Sequence, residues 1–141
     1  MRKISTRNAR RGVAAAELAY IAPVLLLLVL GCVDFGRYAY TNIALTNATR
    51  SGAGYGAVSP YTTATYSNWQ AQARQEVIDE MSQVYGYDGS KLTVIAEAVT
   101  ESGGLWRAEV TASYPFQPLI PWPGIPSSMT MTQKAVMRAT R

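Results

Sequence analysis

Two chemically versatile side chains are almost missing from this sequence of 141 residues: histidine is absent, and cysteine occurs once, as Cys32. Without histidine the chain lacks the residue that a serine–histidine–aspartate or cysteine–histidine catalytic site requires, and it has no imidazole metal ligand. A single cysteine excludes an intrachain disulfide. The glycines at residues 52–56 follow a helical pattern and do not lead into one, so they do not predict a phosphate-binding loop. We therefore expect no enzyme, no cofactor and no metal.

The chain also has little positive charge outside its first residues. The formal net charge is +4, but five of the 13 basic residues precede Gly12, and the remaining eight face nine acidic residues. Nucleic-acid binding needs a basic patch on the folded domain. The sequence therefore indicates no nucleic-acid partner. The five early basic residues are Arg2, Lys3, Arg7, Arg10 and Arg11.

A long apolar run follows this basic leader. Residues 13–33 contain one charge, Glu17. As an α-helix, 21 residues extend about 31 Å, which is the thickness of a hydrocarbon core. The run therefore predicts a transmembrane helix, and the basic residues before it place the N-terminus in the cytoplasm. We expect a single-pass protein of the inner (cytoplasmic) membrane, with a leader at residues 1–12, a span at 13–33 and everything later outside the cytoplasm.

The helical pattern continues past the membrane segment. No proline follows until Ser59-Pro60, so the helix is predicted to extend over residues 34–57, although glycines 52, 54 and 56 could end it near Arg50. Small residues recur at every fourth position, which lets another helix approach closely. That helix could belong to the chain's own domain or to a neighbouring subunit. The small residues are Ala44, Ala48, Gly52 and Gly56.

Residues 58–141 predict a small α+β domain. After a loop at 58–68, a second, amphipathic helix is predicted from an N-cap at Ser67 to a C-terminal cap at Gly86. Apolar residues alternate in two later runs, which predicts an antiparallel hairpin with its turn at 101–104, and again over 130–138, which predicts a third strand. The helix stripe is Trp69, Ala73, Val77, Met81 and Val84, and the strand faces are Leu92, Val94, Ala96, Ala98; Trp106, Ala108, Val110, Ala112, Tyr114; and Met129, Met131, Ala135, Met137.

Prolines and aromatic residues leave part of this domain open to two interpretations. Five prolines between residues 114 and 126 exclude a central strand there and predict an extended, exposed connection. Several aromatic side chains could form an exposed contact surface or fill the core; we expect Tyr85 in the core and Trp122 exposed. The aromatic residues concerned are Tyr61, Tyr66, Tyr85, Tyr87 and Trp122.

Glu17 is the residue in the span that needs an explanation. A carboxylate in a membrane segment costs about 2 to 3 kcal/mol or more near the bilayer centre, so it indicates a partner and a function. Because Glu17 lies about one turn into the run, it could alternatively be tolerated near the headgroups.

The order of these features, a basic leader, then Gly12, then Glu17 as the fifth residue after it, resembles the processing signal of type IV prepilins. In those proteins a membrane-embedded prepilin peptidase cuts after the glycine. The resemblance implies cleavage between Gly12 and Val13, which leaves a free amine on Val13. In an assembled bundle, Glu17 of one subunit would then pair with the Val13 ammonium of its neighbour and favour one axial register.

A wider pattern resembles TadE-like proteins, which are pseudopilins of the tight-adherence (Tad, or Flp) pilus system. It comprises GVAAAEL at 12–18, Pro23 with the leucine run, VDFGR at 33–37, LTNATRSGA at 45–53 and KAVMR at 134–138. The resemblance implies a minor pseudopilin or assembly subunit with roles in adhesion and pilus biogenesis, which packs through its N-terminal helix in a homo- or hetero-oligomer. The implied partners are prepilin peptidase, other pilins or pseudopilins, the inner-membrane pilus machinery and membrane lipid, and the implied packing residues are Pro23, Ala44, Ala48, Gly52 and Gly56.

Three other interpretations of the N-terminus stay open. Val29-Leu30-Gly31-Cys32 approximates a lipobox, which would make the chain a lipoprotein. Arg10 and Arg11 suggest a twin-arginine export signal. The third is a plain membrane-anchored binding domain outside the cytoplasm, since nothing in residues 58–141 requires a pilus.

Overall fold

One continuous helix, α1, extends from Thr6 to Val58 and contains the whole apolar run. The computed structural model describes residues 6–101 and 104–139, with side chains from Gly12 onward. Because α1 extends to Val58, the prediction that the helix continues past the apolar run is confirmed, and the alternative prediction that it ends near Arg50 is wrong. The leader residues Arg2 and Lys3, the side chains of the other three leader arginines, and Ser102 and Gly103 of the hairpin turn lie outside the described part.

The chain divides between Arg37 and Tyr38 into two units. In the first unit the apolar side chains of α1 are exposed on every face; residues 25–28, four consecutive leucines, are each between 51% and 62% exposed. A helix that is apolar all round needs a surrounding apolar medium. By length and composition α1 can cross a membrane, and we treat it as a candidate membrane anchor.

The second unit has a second helix and a three-stranded antiparallel sheet, which confirms the α+β class. Helix α2 extends over Tyr66–Ser82, and a short 3₁₀ turn at Gly89–Lys91 leads into the sheet. The strands are β1 (Thr93–Thr100), β2 (Trp106–Phe116) and β3 (Met129–Arg138), in the order β1-β2-β3.

The core lies between one face of this sheet and the helices. Val110 of β2 pairs with Ala96 on one side and with Ala135 on the other. All three are buried, as the alternation of apolar residues predicted. The apolar stripe predicted for α2 is also buried in full. The largest fully buried side chains are Leu45, Met81, Val77, Val110 and Thr49.

Both predicted ends of α2 are wrong. The helix begins before Ser67, and its N-cap is Thr65, whose hydroxyl accepts a hydrogen bond from the backbone N–H of Thr62 at 2.8 Å instead of capping the helix. The helix ends at Ser82, and Gly86, with φ of +75°, lies in the turn beyond it. Tyr85, in the same turn, is 100% exposed, so its predicted place in the core is wrong.

The predicted start of the proline-rich connection, at residue 114, is also wrong, because the strand before it extends to Phe116. Strand β2 continues through Pro115, which pairs with Thr130 of β3. The pairing of β1 with β2 ends at Thr93 and Ser113, so β2 has a neighbour on one side only at Pro115. Sheets tolerate proline at such edge positions. Residues 117–128, which follow, form the predicted connection without helix or strand.

On the face away from the core, ion pairs link β2, β3 and Glu101, the residue directly after β1. The Arg107 guanidinium donates to Glu101 at 2.9 Å and to Glu109 at 2.7 Å. Lys134 pairs with Glu109, and Arg138 pairs with Glu101 at 3.3 Å. The hydrogen bond from Arg107 holds the pKa of Glu101 below its ordinary value, and those from Lys134 and Arg107 do the same for the pKa of Glu109.

These lowered pKa values predict a pH dependence of stability. Because the folded state favours the ionised carboxylates, their contribution is present above the ordinary glutamate pKa and is lost as the pH falls through the lowered values. We expect the thermal midpoint of the wild-type chain to fall between pH 6 and pH 3, and that of Glu109→Gln to start lower and fall less. Circular dichroism melts of both proteins in detergent measure this, and parallel pH profiles would contradict it.

Candidate assembly site

The predicted cleavage site lies on the exposed surface of α1. Gly12 and Val13 are both helical, and Val13 is 59% exposed. A Cβ atom built on Gly12 would have no heavy atom of another element within 4 Å. The bond between them is therefore not covered by any other described part of the chain.

Glu17 lies four residues after Val13, about 6 Å farther along the helix and on the same face. Its side chain is exposed and, like other helical side chains, leans toward the helix N-terminus, in the direction of Val13. No lysine or arginine occurs between Gly12 and Gly36. Within the apolar run, a positive partner for Glu17 can therefore come only from a new amine at Val13.

Pro23 interrupts the hydrogen-bond pattern of α1 without ending the helix. Because proline has no N–H, the carbonyl group four residues earlier, on Ala19, loses its regular helical partner. In a bilayer such a freed carbonyl is tolerated when a neighbouring helix or side chain satisfies it. The otherwise apolar surface of this segment thus has two polar groups that need partners, the Glu17 carboxylate and the carbonyl group freed by Pro23.

The small residues of α1 pack inside the second unit, against α2 and β2. A Cβ on Gly52 would lie 2.6 Å from Val77 Cγ2 and 2.7 Å from the Ala73 carbonyl oxygen, so α2 packs directly on the helix backbone. A Cβ on Gly56 would lie 2.8 Å from Ala108 Cβ. Ala48 is fully buried and Ala44 partly buried in the same core. Of the two alternatives, the structure places these residues in the packing of α1 on its own domain.

The indole of Trp69 fixes the same contact. Its Nε1 donates to the carbonyl oxygen of Gly56 at 3.1 Å, which is possible because Gly56 carries no side chain. Tyr61, Tyr66 and Trp106 surround the indole with ring centroids 5.4 to 5.9 Å away. Tyr87 is partly buried and packs against the core. Three of the four tyrosines that could have formed a contact surface thus take part in internal packing.

Asp34 is a residue whose importance the sequence did not show. In the sequence Asp34 stood out only as the end of the apolar run and as part of the VDFGR segment at 33–37, but its side chain is buried, with 6% of the residue exposed. Arg37 donates to Asp34 Oδ1 at 3.2 Å, one helical turn later. An acid and a base three residues apart directly after an apolar run is the signal that could have identified this pair.

Comparison with known families gives one match, and it falls on this helix. The model of the family described as "TadE-like protein" matches residues 12–54. The match begins at Gly12, includes Glu17, Pro23 and Asp34, and ends inside α1, so it covers less than a third of the chain. No curated protein and no solved structure matches the sequence. The resemblance is therefore confirmed over residues 12–54, which match the TadE-like model, whereas the leader before Gly12 and the KAVMR segment at 134–138 lie outside the match.

Proposed function

We propose that this chain is a minor pseudopilin or assembly subunit of a Tad-type pilus, without enzymatic activity. One observation carries the proposal: the TadE-like match begins at Gly12, the residue after which a prepilin peptidase would cut, and covers the whole apolar run with its single carboxylate. In this proposal the N-terminus lies in the cytoplasm and residues 38–141 lie outside it.

The division of α1 between two environments supports this role. From Tyr38 to Val58 the helix carries its domain, with small residues buried against α2 and β2. From Val13 to Val29 its side chains are exposed and, apart from Glu17, carry no charge. The exposed segment can therefore pack against lipid or other membrane helices while the domain keeps its own fold.

The charge pair explains how such packing would select one arrangement. After cleavage, the Val13 ammonium and the Glu17 carboxylate are each costly in an apolar medium, and each can neutralise the other across a subunit boundary. A neighbour displaced along the axis by one turn, about 5.4 Å, would separate the charges. The pair thus favours one register, and the partners would be other pilins or pseudopilins.

The folded second unit favours an accessory role over that of a fibre repeat. Residues 58–141 contain a helix and three strands in addition to the long N-terminal helix that resembles a pilin. A subunit with this domain suits initiation, the tip or the assembly machinery in the membrane.

Processing is the step to test first. The full chain should be extracted from its native membrane, with and without prepilin peptidase, and its intact mass and N-terminal sequence determined. We expect a chain that begins at Val13 only when the peptidase is present. A leader that stays intact in both strains would leave a membrane-anchored binding domain, and a lipidated start at Cys32 would make the chain a lipoprotein.

A further inference from the structure

The connection between β2 and β3, residues 117–128, has an unusual composition for an exposed segment. We call it the proline loop. It lies within a longer stretch, residues 110–133, that contains no charged side chain. Leu119 is 63% exposed and Ile125 47% exposed, and Trp122 is partly exposed between them. Surface loops are normally polar, so an uncharged loop with exposed aliphatic residues indicates contact with an apolar phase or partner.

The sheet fixes which end of the second unit carries this loop. Phe116, just before the loop, pairs with Met129, just after it, so both ends of the loop leave the same end of the sheet. Contacts along α1 give the direction: Gly56 lies against Ala108, Gly52 against Val110, and the ring of Tyr38 packs edge-on against Phe116 with centroids 5.4 Å apart. Earlier residues of α1 therefore lie beside later residues of β2. The proline loop projects from the end where α1 enters the unit.

Chain connectivity brings this end close to the membrane segment. Tyr38 follows Val33, the last residue of the apolar run, by five residues, and five residues extend about 18 Å at most. The start of the loop is thus tethered within a short distance of the point where the span ends. Tryptophan and aliphatic side chains without charges are the residues that lie at the boundary between headgroups and acyl chains.

We propose that the proline loop lies in the interface of the bilayer that α1 crosses, with Leu119, Trp122 and Ile125 at the level of the headgroups and upper acyl chains. The proposal rests on the membrane anchor of the proposed function. Prolines at 118, 121, 123 and 126 restrict the loop backbone, so little conformational freedom is lost when it contacts lipid. The contact gives the domain a second attachment to the membrane.

The test uses the full chain reconstituted in vesicles of phosphatidylethanolamine and phosphatidylglycerol, with and without brominated acyl chains, which quench tryptophan on contact. We expect brominated lipid to quench part of the tryptophan emission, and Trp122→Phe to lose more than half of the quenched fraction. Trp106→Phe is the matched control, because Trp106 lies at the opposite end of β2 and should leave the quenching in place. Leu119→Ser with Ile125→Ser keeps Trp122 and should also reduce its quenching.

Two readouts separate this proposal from the anchor on which it rests. Flotation of the protein with the vesicles after alkaline washing reports the span, and quenching reports the loop. Flotation with no quenching, or with quenching that Trp122→Phe leaves unchanged, would overturn the loop proposal and assign the loop to water or a protein partner. Loss of flotation would overturn the membrane anchor itself.

Discussion

Gly52→Ala should lower the free energy of unfolding of the second unit by about 2 kcal/mol, since overpacking a well-packed core costs about 1 to 3 kcal/mol. The new methyl group would lie 2.6 Å from Val77 Cγ2 and 2.7 Å from the backbone oxygen of Ala73. Both residues are fully buried, and a backbone oxygen in α2 cannot move aside without moving the helix. The clash should therefore exceed the gain in helix propensity, which is about 1 kcal/mol for alanine over glycine.

Gly54→Ala is the matched control in the same helix, two residues later. Its Cβ would lie 3.8 Å from Met137 Sδ, an ordinary contact, so the helix propensity should dominate and raise stability by up to about 1 kcal/mol. Urea unfolding of the full chain in detergent, followed by tryptophan fluorescence, measures both variants. Opposite signs support the close packing of α1 on α2. Similar stabilisation of both variants would mean that α2 does not lie this close to α1.

The spacing of the small residues predicted a close approach but not the partner. Ala44, Ala48, Gly52 and Gly56 suit any facing helix, because a missing side chain has the same consequence whichever helix fills the space. The choice between the chain's own α2 and a neighbouring subunit depends on tertiary contacts. Those contacts also explain why glycines that weaken an isolated helix do not end α1 near Arg50: the packing of Val77 and Trp69 on the glycines compensates for their low propensity.

The strands were easier to predict than the helix ends. Alternation over several residues reports which face is buried, and the predicted faces of β1, β2 and β3 are the buried ones. A helix end depends on one or two residues that compete with near neighbours, and Thr65 rather than Ser67 precedes α2. The sequence could not show that Pro115 lies in a strand, because a strand accepts proline here only since β2 has no β1 neighbour at this position.

In the candidate site, the sequence identified the important charge but did not predict which charged side chain is buried. Glu17 is identified by the sequence because every neighbour is apolar, whatever the tertiary structure. Asp34 sits at the end of the same run and has an ordinary pattern for a helix that leaves a membrane. Its burial is not visible in that pattern.

The Glu17→Ala variant should still insert in the membrane and should still be cleaved after Gly12. Its association with the neighbouring subunit should be weaker by about a hundredfold. The reason is that removing one partner of a desolvated ion pair leaves the Val13 ammonium unpaired, at a cost of about 3 kcal/mol. Glu97→Gln, on the exposed face of β1, removes an acidic side chain far from the apolar run in sequence and should have no such effect. Cross-linking yield between subunits in native membranes measures association, and immunoblotting of the membrane fraction measures level and processing.

A block of cleavage provides the decisive comparison, because the Val13 ammonium exists only after the leader is removed. Where the peptidase is absent, the intact peptide bond at Val13 carries no charge, so Glu17 has no ammonium to pair with. If the pair acts as proposed, Glu17→Ala should reduce cross-linking strongly in the strain with peptidase and add little in the strain without it, the non-additivity expected of two groups that act on each other. Equal effects in both strains would show that Glu17 acts without the new N-terminus. Full association of the variant in the peptidase strain would reduce Glu17 to a carboxylate tolerated near the headgroups.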